Sequence, residues 1–167
     1  MQRFILAFAF TGLLAACGGD HDHDHDAFDL GHACEHMEDA ATELFAHADA
    51  GEDLDRIERT HTRYRVTLDT DPEDESARLG YLELEIATAG RYALFASRVP
   101  ADLRIIDAAL TERNPVHAVT PVEDCAAISM FRIDDLEPGI YTIFVDGVTG
   151  GELELLLERA EGYEPND

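Results

Sequence analysis

Histidine is the residue whose distribution in this chain points most clearly to chemistry. Six of the eight histidines lie between positions 21 and 47 of the 167-residue sequence. A neutral imidazole is the most common side-chain ligand for transition-metal ions such as Zn²⁺, Cu²⁺ and Ni²⁺. Their concentration in one short region therefore predicts metal binding, with zinc as the expected ion.

The first group of histidines alternates with aspartate in a tract at residues 20–26. In an extended segment, His21, His23 and His25 project from one side and the aspartates from the other. In a folded loop, each carboxylate could instead orient a neighbouring imidazole. A metal that binds there must first order a flexible chain, so we expect modest affinity. The alternative is that the tract is only a solvated spacer.

The second group lies in the segment HACEH at residues 32–36. On a helix, His32 and His36 stand at positions i and i+4 on one face, where they could share one ion. The segment lacks the full His-Glu-x-x-His pattern of metalloproteases. His61 is the predicted third ligand, with the alternative that it only caps the first strand. His117 is expected in a loop.

The charge of the chain excludes several classes of function. Thirty-six acidic residues stand against 12 basic ones, all arginine, for a formal net charge of −24. This charge repels phosphate backbones, so we expect no nucleic-acid partner. The three serines lie outside any nucleophile-elbow context, and no glycine-rich phosphate loop is present. We therefore expect no enzymatic activity, no catalytic residues and no organic cofactor.

The N-terminus has the form of an export signal. An apolar run at residues 4–16 follows Arg3 and is shorter than the about 20 residues that span a bilayer. It ends in Leu-Ala-Ala before Cys17, which resembles the lipobox of bacterial lipoproteins. The resemblance implies a signal peptide at 1–16 and acylation of Cys17 with chains such as palmitate. Gly18 then favours the outer membrane, whereas an ordinary secretory signal is the alternative.

The three cysteines make an odd number, which is unusual in a secreted protein. If Cys17 carries lipid, Cys34 and Cys125 remain as a pair. The bacterial envelope is oxidising, so we expect a disulfide between them. A thiolate ligand at Cys34 is the competing interpretation, and it excludes the disulfide.

Three segments are expected after the signal peptide. We expect a flexible stalk at 17–31, one domain at 32–160 and a tail at 161–167. In the first part of the domain, apolar residues recur at helical spacing, which predicts a helix at 35–49. The shorter piece at 42–48 could equally be a strand.

From Thr62 onward the apolar pattern changes to period two. Glycine and proline punctuate the chain between the apolar runs, as in proteins built of short antiparallel strands. We therefore predict an antiparallel β-sandwich of jelly-roll type. The predicted strands are centred on residues 64–68, 82–86, 92–96, 103–106, 128–133, 140–145 and 153–157.

A weak internal repeat supports this fold. The pattern Gly-x-Tyr-x-aliphatic-Phe occurs at Gly90 and again at Gly139, each time after a strand and a turn. The second copy, with the strand at 152–155, is similar to the closing strands of pre-peptidase C-terminal modules. That resemblance, over residues 62–158, implies a secreted, non-catalytic accessory domain. The lipobox and His-Asp tract are similar to bacterial lipoproteins associated with zinc handling.

Together these features predict an envelope lipoprotein, held in the outer membrane by its lipid anchor. Its expected role is capture, buffering or hand-over of zinc, with an envelope metal transporter as partner. The alternative is a surface module that binds a protein or a glycan and uses the tract only as a spacer.

Overall fold

The computed structural model describes residues 28–51, 53–122 and 125–164. One short helix and ten strands follow one another along this part of the chain. Their bounds are α1 Leu30–His36, β1 Thr42–Ala46, β2 Arg56–Ile57, β3 Arg63–Thr70, β4 Arg78–Ile86, β5 Gly90–Ala96, β6 Asp102–Ile106, β7 His117–Val119, β8 Met130–Leu136, β9 Gly139–Asp146 and β10 Glu152–Arg159.

The strands form one sheet in the order β6-β9-β4-β3-β10-β5-β8-β7, with β1 beside β3 and β2 beside β4. The β1 and β2 pairings are parallel, and the pairings along the main path are antiparallel. Strand β3 joins two halves of the sheet, one with β4, β9 and β6 and the other with β10, β5, β8 and β7. It pairs with β10 along most of its length and with β4 at Asp69 and Thr70. The sheet curls at this point, and the prediction of a mainly antiparallel, sandwich-like β fold is confirmed.

The main hydrophobic core lies between the two halves of the sheet. Alternate residues of the long strands point into it, including Val66 of β3, Leu84 of β4 and Leu155 of β10. Full burial of each such side chain is worth roughly 1.5–3 kcal/mol relative to exposure. The period-two pattern of the sequence therefore corresponds to a continuous apolar interior.

The internal repeat has a structural explanation. Its two copies are β4–β5 and β8–β9, and the strands pair across copies, β4 with β9 and β5 with β8. In each copy the tyrosine hydroxyl donates a hydrogen bond to a carbonyl four residues earlier. The distances are 2.7 Å from Tyr92 to Thr88 and 3.0 Å from Tyr141 to Glu137. The repeated tyrosine thus fastens the turn where the chain crosses between halves.

A second apolar cluster lies on the outer face of β5, β8 and β10. Ala33 and Met37 pack there with Phe95, Phe131 and Leu156. The predicted disulfide between Cys34 and Cys125 is confirmed, and it joins α1 to the segment before β8. The helix therefore covers the sheet from outside.

The predicted helix at 35–49 is wrong, and its alternative of a strand near 42–48 matches the structure. Helix α1 begins earlier because the Asp29 carboxylate accepts hydrogen bonds from the backbone N–H groups of Gly31 and His32. Residues 42–46 form β1 instead, where Ala46 is buried in the main core. Pairing with β3 outweighs the helical spacing of the apolar residues.

Packing extends beyond the predicted limits of the domain at 32–160. The Phe28 ring lies 5.3 Å from that of Phe131 and 4.8 Å from that of Tyr163, measured between centroids. Both ends of the described chain therefore contribute to the outer cluster. In the described ranges, no helix has the length and apolar character needed to cross a membrane.

Candidate metal centre

Three histidines from two separate segments come together beside α1. One ring nitrogen from each of His32, His36 and His61 lies within 4.8 Å of the others. The Nε2 atoms of His32 and His36 are 3.1 Å apart. The His61 ring centroid lies 5.4 Å from that of His32 and 5.3 Å from that of His36. The residues predicted as ligands are thus placed where they could share one ion.

Helix α1 positions the first two imidazoles. His32 and His36 are four residues apart and so occupy one side of the helix. The neighbouring side carries Ala33 and Met37, which are buried against the sheet. The packing of that apolar side turns the two histidines toward the turn that carries His61.

The third imidazole comes from the turn before β3. His61 has a backbone φ of 55°, in the left-handed region that residues other than glycine seldom adopt. Its backbone N–H donates a 3.1 Å hydrogen bond to the carbonyl of Leu157 in β10. Uncommon backbone conformations of this kind cluster at functional sites, because surrounding contacts must maintain them.

Two acidic side chains lie against the imidazoles. Nδ1 of His36 lies 2.9 Å from the Asp39 carboxylate, and Nδ1 of His61 lies 2.6 Å from Oε2 of Glu158. An ionised carboxylate at Nδ1 favours the tautomer whose Nε2 lone pair is available to a metal. The arrangement therefore prepares His36, and His61 when Glu158 is ionised, for coordination through Nε2.

Sequence reasoning missed both carboxylates. Asp39 lies three residues after His36, a spacing that could have been noticed. Glu158 carries no local signal, since it reaches His61 only because β10 pairs with β3.

Glu158 is an unusual residue for its environment. It is only 5% exposed, and its Oε1 atom makes no hydrogen bond to any residue in the described ranges. Burial raises the pKa of Glu158 from 4.5 to about 8. A nearby cation favours the ionised form of a buried carboxylate. The charge of a bound metal would therefore relieve the cost of burying this group.

The donor set fits a transition metal. Bonds of 2.0–2.1 Å from Zn²⁺ to imidazole nitrogen in tetrahedral geometry place the nitrogens about 3.4 Å apart. The pair at 3.1 Å already meets this spacing, and side-chain movement of about 1.4 Å would close the widest pair. Calcium and magnesium prefer oxygen ligands, so three imidazoles disfavour them. The His36 and His61 side chains are 23% and 31% exposed, which gives an ion access from solvent.

The other predicted site residues lie elsewhere. Cys34 is bonded to Cys125, so the competing interpretation of a Cys34 thiolate ligand is wrong. His117 lies in β7 rather than in a loop, because its segment pairs with β8 at the edge of the sheet, and its ring is 5.5 Å from that of Tyr163. Residues Cys17, His21, His23 and His25 lie outside the described residues.

Comparison with known proteins adds limited information. No protein-family model matches the chain, and no curated protein matches it. One similar solved structure is the pre-peptidase C-terminal domain of a collagenase from Bacillus anthracis. It shares 12% identity over 66% of this chain and 99% of that domain, with a TM-score of 0.38. At this level of similarity the match carries no inference about this chain.

Proposed function

We propose that this protein binds a transition-metal ion, with zinc as the preferred metal, at His32, His36 and His61. The observation that carries the proposal is the convergence of these three imidazoles, two of them backed by a carboxylate. The pattern of three histidine ligands supported by carboxylates is typical of zinc sites in proteins.

The electrostatics of the chain support a role in metal capture. A formal charge of −24 concentrates cations near the surface, while the imidazoles supply ligands that select transition metals. The partial exposure of the rings suits an ion that enters and leaves rather than one sealed into the core. The proposed role is therefore capture, buffering or hand-over of metal.

The segment that precedes the domain extends this role. We propose that Cys17 is acylated and holds the protein in the outer membrane, near an envelope metal transporter. His25 is seven positions before His32, so this end of the His-Asp tract can lie no more than about 25 Å from the first ligand. In this proposal the tract gathers ions at modest affinity and supplies them to the folded site.

The alternative function, a surface module that binds protein or glycan, has less support. Large apolar side chains that are exposed in the described part of the chain occur on separate segments and include one aromatic ring. They are Phe45, Val99, Leu110, Val116 and Ile140.

Zinc calorimetry on matched chains tests the proposal. We expect His61→Asn to weaken binding on the order of 100-fold, which is about 3 kcal/mol, because one of three nitrogen ligands is lost. Asparagine tolerates the left-handed backbone of His61, so the turn should persist. The matched control is His117→Asn, which removes an imidazole that is not part of the three-histidine group and should leave binding unchanged.

A second comparison separates the folded site from the tract. Zinc binding is measured for a chain that begins at Gly18 and for a shorter chain that begins at Ala27 and lacks the tract. Retention of a micromolar or tighter site in the shorter chain supports the proposal. Loss of all binding with the tract, or wild-type affinity in His61→Asn, would contradict it.

A further inference from the structure

The disulfide lies within the helix that carries two of the three ligands. Cys34 stands midway between His32 and His36 in α1, which has seven residues. An isolated helix of this length is not stable in water, since most helical stability in proteins comes from tertiary contacts. The position of His32 and His36 therefore depends on what fastens α1 to the rest of the protein.

The third ligand is fastened independently of α1. His61 is held on β10 by its backbone hydrogen bond to Leu157 and by its contact with Glu158. The site is thus assembled from two parts, one on the sheet and one on a short helix. The Cys34–Cys125 bond is a covalent connection between the helix and the outer face of the sheet.

Reduction of this bond would not supply a replacement ligand. Residues advance about 100° each around a helix, so Cys34 lies about 200° from both His32 and His36. Its sulfur belongs to the outer apolar cluster rather than to the histidine group. A free thiol at Cys34 could join the ion only if α1 rotated by about half a turn.

The sheet does not depend on α1 to the same degree. The main core between the two halves contains strand and turn residues, whereas Ala33 and Met37 belong to the outer cluster. Loss of the crosslink should therefore loosen α1 while the sheet persists.

We propose that the Cys34–Cys125 disulfide is a positioning crosslink that couples the metal affinity of the site to thiol–disulfide exchange. The proposal rests on the proposed metal binding. Two reductant thiols give two electrons and two protons to the disulfide and become a disulfide themselves, and Cys34 and Cys125 become thiols. The metal ion then leaves more readily, without changing its oxidation state, because α1 keeps its apolar contacts but loses the covalent bond that fixes His32 and His36 opposite His61.

The first test compares zinc affinity in the two redox states. The full chain carries Cys17→Ser, so that it holds two cysteines, and His21→Asn, His23→Asn and His25→Asn, so that the tract does not compete. Affinity is measured against a chromophoric chelator for the oxidised chain and for the chain reduced by a phosphine that is then removed. We expect reduction to weaken zinc binding by about tenfold or more. The variant Cys34→Ala/Cys125→Ala, which has no thiol, should show the same loss.

The second test is the reverse effect of zinc on the disulfide. Linkage requires that zinc favour the oxidised form by the same factor by which oxidation favours zinc. In a glutathione buffer at fixed saturating free zinc, half-reduction should need about a tenfold higher reducing ratio. His61→Asn should abolish this shift, which a merely structural disulfide would not show.

The outcomes are distinguishable. Equal affinity in both states, or tighter binding after reduction, overturns the coupling while leaving the metal site intact. Loss of the β-sheet circular dichroism signal on reduction also overturns it, because the disulfide would then support the whole fold. No binding by the oxidised chain overturns the proposed function itself.

Discussion

The two faces of strand β10 differ in what their side chains do. On the inner face, Leu153, Leu155 and Leu157 are buried in the main core. On the outer face, Glu154 pairs with Arg63, and Glu158 lies against His61 beside the histidine cluster. One strand therefore contributes both to the apolar interior and to the candidate metal centre.

The contrast shows that the pleat of the strand confines the candidate chemistry to the outer face, where the buried Leu156 also belongs to the outer apolar cluster. Successive side chains point to opposite faces, so neighbouring residues of β10 have different environments. The inner face needs only apolar side chains of suitable size. On the outer face, Glu154 and Glu158 need particular partners from β3 and from the turn that carries His61. We expect substitutions on the two faces to change different measurements.

The largest effect should come from the inner face. Leu155 is 0% exposed, so Leu155→Ala should lower the free energy of unfolding by about 2–5 kcal/mol through lost burial and a cavity. Urea denaturation measures the change. The same substitution at Leu110, which is 87% exposed, should cost less than about 0.5 kcal/mol. Zinc binding is also measured under conditions where Leu155→Ala is fully folded. Weaker binding there would show that the inner face also affects the metal site.

A pH effect of a few kcal/mol is expected from the outer face. The pKa of Glu158 is raised by burial to about 8, so the folded chain holds its proton more tightly than the unfolded chain. This contribution to stability is fully present below pH 4.5 and is lost as the pH rises through 8. His61, the titratable group facing it, opposes the loss when it is protonated.

The measurement is denaturation of metal-free protein at pH 6 and pH 9. Glu158→Gln should lose less stability than the wild type over this range, because it has no proton to release. Glu154→Gln, on the same face of the strand, controls for the removal of one charge. Parallel curves for the wild type and Glu158→Gln would show that the carboxyl group is not perturbed by burial.

The smallest effect should come from the carboxylate that orients His36. Asp39→Asn should weaken zinc binding by about tenfold, because the ring loses a negatively charged partner at Nδ1. The adjacent Glu38→Gln removes the same charge without touching His36 and should bind zinc as the wild type does. If calorimetry found the same loss of zinc affinity in both variants, Asp39 would act only through general electrostatic attraction.

The sequence predicted the inner face of the sheet better than the outer one. Alternation of apolar residues identified β3, β4 and β10, because burial between the halves imposes a period of two on each strand. It left β1 only as the alternative to a helix, because this short strand pairs with β3 and shows no clear period of its own. Short edge strands such as β7 have too few residues to show a period.

The candidate site was also predicted only in part, because local spacing shows some of its residues but not their partners on other strands. Spacing on a helix related His32 to His36, and His61 was the predicted third ligand. The partnership of His61 with Glu158 depends on the register of β3 and β10, in which Arg63 lies opposite Leu156. Such a register is set by the fold as a whole and leaves no local mark.

The most direct test of the metal centre is diffraction from crystals grown with zinc, with data collected on both sides of the zinc absorption edge. The proposed site predicts an anomalous difference peak bonded at about 2.0–2.1 Å to one nitrogen each of His32, His36 and His61. A map with no peak among these three imidazoles, in crystals whose histidine cluster is open to solvent, would contradict it.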